Sequence, residues 1–213
     1  MELRLGLIDY GMGNLQSVQR AFKRLGKSIK TVRVPSDLND CDALILPGVG
    51  AFDPAMEQLA CTGLVPDLKL WAKSNKPLLG ICLGLQLLFE SSDEGKAKGL
   101  GLLKGNVKKL PSNQGERIPH MGWAPLVQVK ECPLLEKGAQ VSWMYFVHSF
   151  SAIPRIETDL AATADFGKSK VTAIVWQGRI GACQFHPEKS AKDGERMLKS
   201  WLKWLEKGAP PMP

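Results

Sequence analysis

Through the first part of the chain, short apolar runs alternate with stretches whose apolar positions recur every three or four residues. Residues 3–8 form one such run, ending at Asp9. The turn sequence Gly11-Met12-Gly13-Asn14 then leads into a pattern carrying Leu15, Val18, Ala21, Phe22 and Leu25. The first spacing suits a strand, the second a helix with one buried stripe. Extended segments are expected over residues 29–34 and 43–46. Pro47, Gly48, Val49 and Gly50 break the latter, and a helix containing Met56, Leu59 and Ala60 is expected next. Residues 78–81 read as a buried strand running into Cys82 and a helix over 83–90. Alternation of this kind predicts a mostly parallel sheet.

The later third changes character. Residues 141–147, 172–176 and 180–185 look like strands joined by Gly and Pro turns, expected to extend the sheet antiparallel at one edge. Met197, Leu198, Trp201, Leu202, Trp204 and Leu205 then lie at helical spacing, and Gly208, Pro210 and Pro211 stop them. That stripe suits docking on a core. No linker or repeat interrupts the 213 residues, which predicts one domain over 1–213.

Composition adds exclusions. A content of 44% hydrophobic and 23% charged residues argues against disorder. No apolar stretch approaches the roughly 20 residues of a membrane span, and no leader with a cleavage site is read, so a cytoplasmic protein with no membrane partner is expected. Cysteines at 41, 61, 82, 132 and 183 make an odd set without a CxxC pair, which suits reduced thiols. The net charge of +7 is scattered, apart from a loose run at Lys96, Lys98, Lys104, Lys108 and Lys109. Without an RNA-recognition signature or zinc-finger spacing, that charge fits an acidic partner or anionic substrate better than nucleic acid.

Gly80, Cys82 and Gly84 stand as G-x-C-x-G between the apolar strand and the next helix, the thiol version of a nucleophile elbow. Small neighbours let the turn close, and the helix N-terminus favours thiolate over thiol. Of the three histidines, only His186 has an acid in a useful register: in His186-Pro187-Glu188 an extended path would put both side chains on one side. Glu188 could then orient the imidazole, leaving its other nitrogen for Cys82. His120 and His148 lack a nearby acid and read as structural or substrate-side groups. No second ligand pair joins Cys183 and His186, so no metal site is expected. The Leu83 amide after the nucleophile is one candidate oxyanion donor, and Val49, flanked by glycines, could be the other. Gln86, one helical turn after Cys82, is placed to bind a polar substrate group.

The ordered segments PGVGAF, GICLGLQLLF and QFHPEKS resemble class I (triad) glutamine amidotransferases over nearly the whole chain. The resemblance implies a flavodoxin-like three-layer α/β sandwich with helices on both faces of the sheet. It implies Cys82, His186 and Glu188 as the catalytic triad, Val49 and Leu83 as oxyanion donors, and glutamine contacts at Gly50, Gln86, Ser149 and Phe150, with no cofactor. More narrowly, DYGMGNLQSV, PHMGW and YFVHSF resemble the glutaminase subunits that feed ammonia to a (β/α)8-barrel cyclase subunit in histidine biosynthesis, which implies a heterodimer. Asn14, Trp123, Tyr145 and Lys189 match segments expected at that interface. Ala124 departs from the family pattern, where asparagine is common. The rival readings are glutaminase components of anthranilate or guanine nucleotide synthesis, a cysteine peptidase or deglycase on a related sheet, and a partner-binding module without activity.

Overall fold

The computed structural model describes residues 3–111, 116–135 and 142–212. Along the chain run β1 (Leu5–Ile8), α1 (Leu15–Arg24), β2 (Ile29–Val32), β3 (Ala43–Gly48), α2 (Phe52–Cys61), α3 (Leu64–Lys73), β4 (Leu78–Cys82), α4 (Leu83–Leu87), β5 (Ser91–Ser92), β6 (Gly105–Lys109), β7 (His120–Gln128), β8 (Trp143–His148), β9 (Phe150–Pro154), β10 (Leu160–Phe166), β11 (Ser169–Gln177), β12 (Ile180–Cys183) and α5 (Ala191–Glu206).

Nine strands form the main sheet in the order β2-β1-β3-β4-β12-β11-β10-β7-β8, and β5-β6-β9 form a small second sheet. From β2 through β12 every pairing is parallel. From β12 outward to β8 every pairing is antiparallel. β1, β3, β4 and β12 are buried runs because both of their faces are covered, whereas β2 at the sheet edge keeps Lys30 exposed. Leu5, Leu7, Ile45, Leu79 and Ile81 face α1 and α5 in one core, whereas Ile8, Leu44, Leu46 and Leu78 face α2, α3 and α4 in the other. This is the expected three-layer sandwich with its antiparallel extension.

Details differ from the pattern in the sequence. The strand expected over 43–46 continues through Pro47 and Gly48, since main-chain pairing with β4 extends to Gly48 and Cys82. The helix expected over 83–90 ends at Leu87. Of the strand expected over 141–147, Val141 lies outside the described residues, and β8 starts at Trp143. α3, β6, β7, β9 and β10 were not anticipated. Residues in β7 alternate between an outer set, Met121, Trp123 and Pro125, and an inner set, Gly122, Ala124 and Leu126, but the outer set is apolar too, which hides the period. Among the described residues, no helix is long and apolar enough to cross a membrane.

Candidate active site

Cys82 closes β4, and α4 begins at the next residue. At that junction it takes φ +56° and ψ −113°, backbone that non-glycine residues rarely adopt and that costs about 1–3 kcal/mol. Close packing holds the strain in place. A Cβ on Gly84 would collide with the Leu46 carbonyl oxygen, and one on Gly80 would stand 3.0 Å from both Ala182 Cβ and the Gly84 carbonyl. The glycine spacing therefore is a steric requirement of the turn.

His186 reaches this turn because β12 runs parallel to β4, with Cys183 opposite Ile81. Pro187 then opens a tight turn over Pro187–Lys189. Glu188 is brought to His186 by that turn, not by the extended path expected from the sequence: proline has no N–H to satisfy and starts such a turn readily. The result is a bond of 2.7 Å between His186 Nδ1 and Glu188 Oε1, with side chains only 3% and 2% exposed. Burial by itself lowers the imidazole's proton affinity. Cys82, as a hydrogen-bonding and Coulombic neighbour, and the Glu188 carboxylate outweigh it and raise the pKa to about 10. The imidazolium is thus favoured at neutral pH, where its partner is the Cys82 sulfur.

Main-chain bonds brace the same segment. His186 N–H donates to the Tyr145 carbonyl at 3.1 Å, Tyr145 N–H donates to Ser190 Oγ at 3.0 Å, and Ser190 Oγ–H donates to the His186 carbonyl at 2.6 Å. β8 is in this way clasped to the catalytic turn.

A cavity of about 320 Å³ opens over Cys82 and His186. Its walls include Val49, Gly50, Leu83, Gln86, Ser149 and Phe150, all singled out in the sequence, and also Glu94, Pro119, Val147 and His148. Gln86 is buried, and its Nε2 donates to the Phe150 carbonyl at 3.1 Å and to Gln184 Oε1 at 3.2 Å. Glu94 is the residue that sequence reasoning missed. It lies in a Ser-Ser-Asp-Glu-Gly stretch that reads as a solvated turn, yet its Oε2 accepts the Phe52 N–H at 2.8 Å. A faint signal existed: α2 has no capping side chain of its own at Ala51, so its first amides require an acceptor from elsewhere.

One expected role is not met in this conformation. The Val49 N–H donates to the Met12 carbonyl at 3.1 Å, so it is unavailable as an oxyanion donor. Tyr10 holds the same segment through an Oη–H bond to the Pro47 carbonyl at 2.9 Å. Leu83, by contrast, is the first residue of α4 and lines the cavity, where helix amides have no partner within the helix.

The residues expected at an interface lie near this end of the sheet. Trp123 and Tyr145 pair across β7 and β8 with ring centroids 6.0 Å apart, and Trp123 is 50% exposed. Met121 and Trp143 are exposed on the same strands, and Lys189 is exposed in the catalytic turn. Asn14 is half-buried and partly committed to capping α1, accepting the Ser17 N–H at 3.3 Å. Among the described residues, no group of three or more His, Cys, Asp or Glu side chains could hold a metal ion.

The arrangement has the geometry for attack on a carbonyl by sulfur and for handing a proton to the departing group, as in hydrolases with a cysteine nucleophile. Comparison with known proteins narrows the class. The sequence model of glutamine amidotransferase class-I matches residues 6–204, and the chain belongs to that family. It is 70% identical over 213 residues to imidazole glycerol phosphate synthase subunit HisH 2 of Prochlorococcus marinus strain MIT 9313, covering the whole of both chains. It is 66% identical over 205 residues to subunit HisH of Prochlorococcus marinus strain MIT 9211, covering 96% of each. Among solved structures, PurLQS from Thermotoga maritima superposes with a TM-score of 0.76 at 23% identity, over 96% of this chain and 100% of that one. A further glutamine amidotransferase gives 0.73 at 22%, over 93% and 97%. At those identities the structural likeness speaks for the fold alone.

Proposed function

We propose that this chain, as one domain over residues 1–213, is the glutaminase subunit of imidazole glycerol phosphate synthase in the cytoplasm. It hydrolyses glutamine and supplies ammonia to a (β/α)8-barrel cyclase subunit in histidine biosynthesis, without a cofactor. The observation that carries the chemistry is the buried His186–Glu188 pair at 2.7 Å beside Cys82. The full-length identity of 70% to a subunit of that name carries the pathway.

In the first half-reaction the Cys82 thiolate attacks the side-chain amide carbon of glutamine, forming a carbon–sulfur bond and an oxyanion. The His186 imidazolium gives its proton to the amide nitrogen as the carbon–nitrogen bond breaks, releasing ammonia and leaving a thioester. In the second, neutral His186 takes a proton from water, whose oxygen attacks the thioester. Collapse frees glutamate, restores the thiolate and leaves the imidazolium. Leu83 N–H stabilises both oxyanions, joined by Val49 N–H once its peptide lets go of the Met12 carbonyl; a missing donor costs on the order of 10² to 10³ in rate. Gly50, Gln86, Ser149 and Phe150 contact the substrate. Glu94, the acidic side chain in the cavity wall, has one oxygen left for the substrate's α-ammonium group. The cyclase covers Trp123, Tyr145, Lys189 and the Asn14 end of α1.

The test is glutamate release from glutamine, with and without the barrel cyclase and its nucleotide ligand. Slow release from the chain alone and faster release in the loaded complex are expected. Copurification with a chorismate-using or purine-activating enzyme in place of the cyclase would refute the pathway.

A further inference from the structure

Two histidines outside the triad, buried His148 and half-buried His120, face each other across β7 and β8 beside the cavity. His148 lines the cavity, lies opposite His120 across β7 and β8, and is only 6% exposed. His148 Nδ1 stands 2.8 Å from the Phe150 carbonyl. Its Nε2 stands 3.2 Å from His120 Nδ1. His120 is stacked on Phe146, with ring centroids 4.9 Å apart and planes 16° from parallel.

The tautomers follow from one atom. A carbonyl oxygen can only accept, so His148 Nδ1 carries a hydrogen. Burial pushes the His148 pKa down to about 4, so at neutral pH the ring is uncharged and Nε2 is bare. That nitrogen must accept, which places a hydrogen on His120 Nδ1. The same Phe150 carbonyl also accepts from Gln86 Nε2 at 3.1 Å, while the second Gln86 N–H goes to Gln184 Oε1 at 3.2 Å. Both amide hydrogens of Gln86 are then committed, and its Oε1 is the atom offered to a ligand. With the opposite His148 tautomer, two acceptors would face each other at Nδ1 and the Phe150 carbonyl. The carbonyl would turn away and release Gln86.

We propose that His120 is a positioning residue for glutamine binding: its Nδ1–H seats the His148 ring through Nε2, and His148 and Gln86 together fix the Phe150 carbonyl so that Gln86 presents an acceptor to the substrate. This rests on reading the cavity as a glutamine site. His120 touches no substrate; it acts through three successive hydrogen bonds, from the face of β7 opposite Met121 and Trp123.

The test uses the full chain carrying Cys82→Ala, so that glutamine is bound and not consumed. His120→Phe keeps a ring to stack on Phe146 without the donor. His120→Asn keeps an N–H near the position of Nδ1. Glutamine affinity is read by calorimetry and the His148 tautomer by ¹⁵N NMR at neutral pH. The Cys82→Ala chain and its His120→Asn form should show neutral His148 protonated at Nδ1. His120→Phe should shift the His148 Nε2 resonance, whose hydrogen-bond donor is gone, and bind glutamine on the order of tenfold more weakly, the size of one lost hydrogen bond. Equal affinity and an unchanged His148 spectrum in His120→Phe would overturn the proposal, as would an equal loss in both variants. If the Cys82→Ala chain itself binds no glutamine, the glutaminase reading fails instead, and the His148 spectra alone decide whether His120 holds the His148 ring.

Discussion

The two halves of the main sheet do different work. In the parallel half, β1, β3, β4 and β12 are buried on both faces, and Cys82 and His186 come from adjacent strand ends. The antiparallel half, β11 to β8, leaves Met121, Trp123 and Trp143 exposed at its far edge and gives Val147 and His148 to the cavity wall; its proposed task is to meet substrate and partner, not to break bonds. A strained nucleophile needs surroundings that cannot yield, and strands packed between two helical layers provide them. A surface that must accept another protein needs an uncovered face, which an antiparallel edge can keep.

Four experiments would break or sharpen that division. Cys82→Ala should reduce glutamine hydrolysis by about 10⁴-fold or more while the cyclase complex still works with added ammonia; assaying both nitrogen sources checks it. Gly84→Ala, which drives a methyl group into the Leu46 carbonyl, should cost about 3 kcal/mol of stability, read as a shifted denaturant midpoint. No comparable loss is expected from a change at Trp123.

Glu188→Gln should lower kcat/KM by about 10². It should also move the alkaline limb of the pH profile. Cys82 and Glu188 raise His186 to about 10, so the imidazolium needed to protonate the departing amide nitrogen persists below that pH and is lost above it. Weakening the acceptor moves the limb to lower pH, and an unmoved limb would place the ionisation elsewhere. Stability has the same sign: the pair's contribution is full below the ordinary histidine value of about 6.5 and disappears as pH rises through about 10. The smallest effect is expected for Trp123→Ala, about 2 kcal/mol of affinity for the cyclase with unchanged glutamine hydrolysis by the free chain. A fall in the free chain's rate would erase the division of labour.

What the sequence made legible were the features set by local demands. Cys82 could be found because glycine at 80 and 84 is a local demand of a single turn. His186 and Glu188 could be found because they are two residues apart, although their backbone is a turn and not a strand. Continuous apolar runs exposed β1, β3 and β4. β7 passed unnoticed because its apolar residues include exposed ones such as Met121 and Val127, and β10 because Ala161, Ala162, Thr163 and Ala164 are buried in a row with no period-two contrast. Glu94 was hidden because its role depends on Phe52, far earlier in the chain. The Val49 amide was hidden for another reason: which way a peptide plane faces leaves no trace in residue identity.

The clasp between β8 and the catalytic turn uses the carbonyl and N–H of Tyr145, never its phenol. The ring at that position can therefore be rewritten while the histidine behind it stays tethered. Under the proposed docking, recognition and hydrolysis can change at separate tempos although Tyr145 would serve them both.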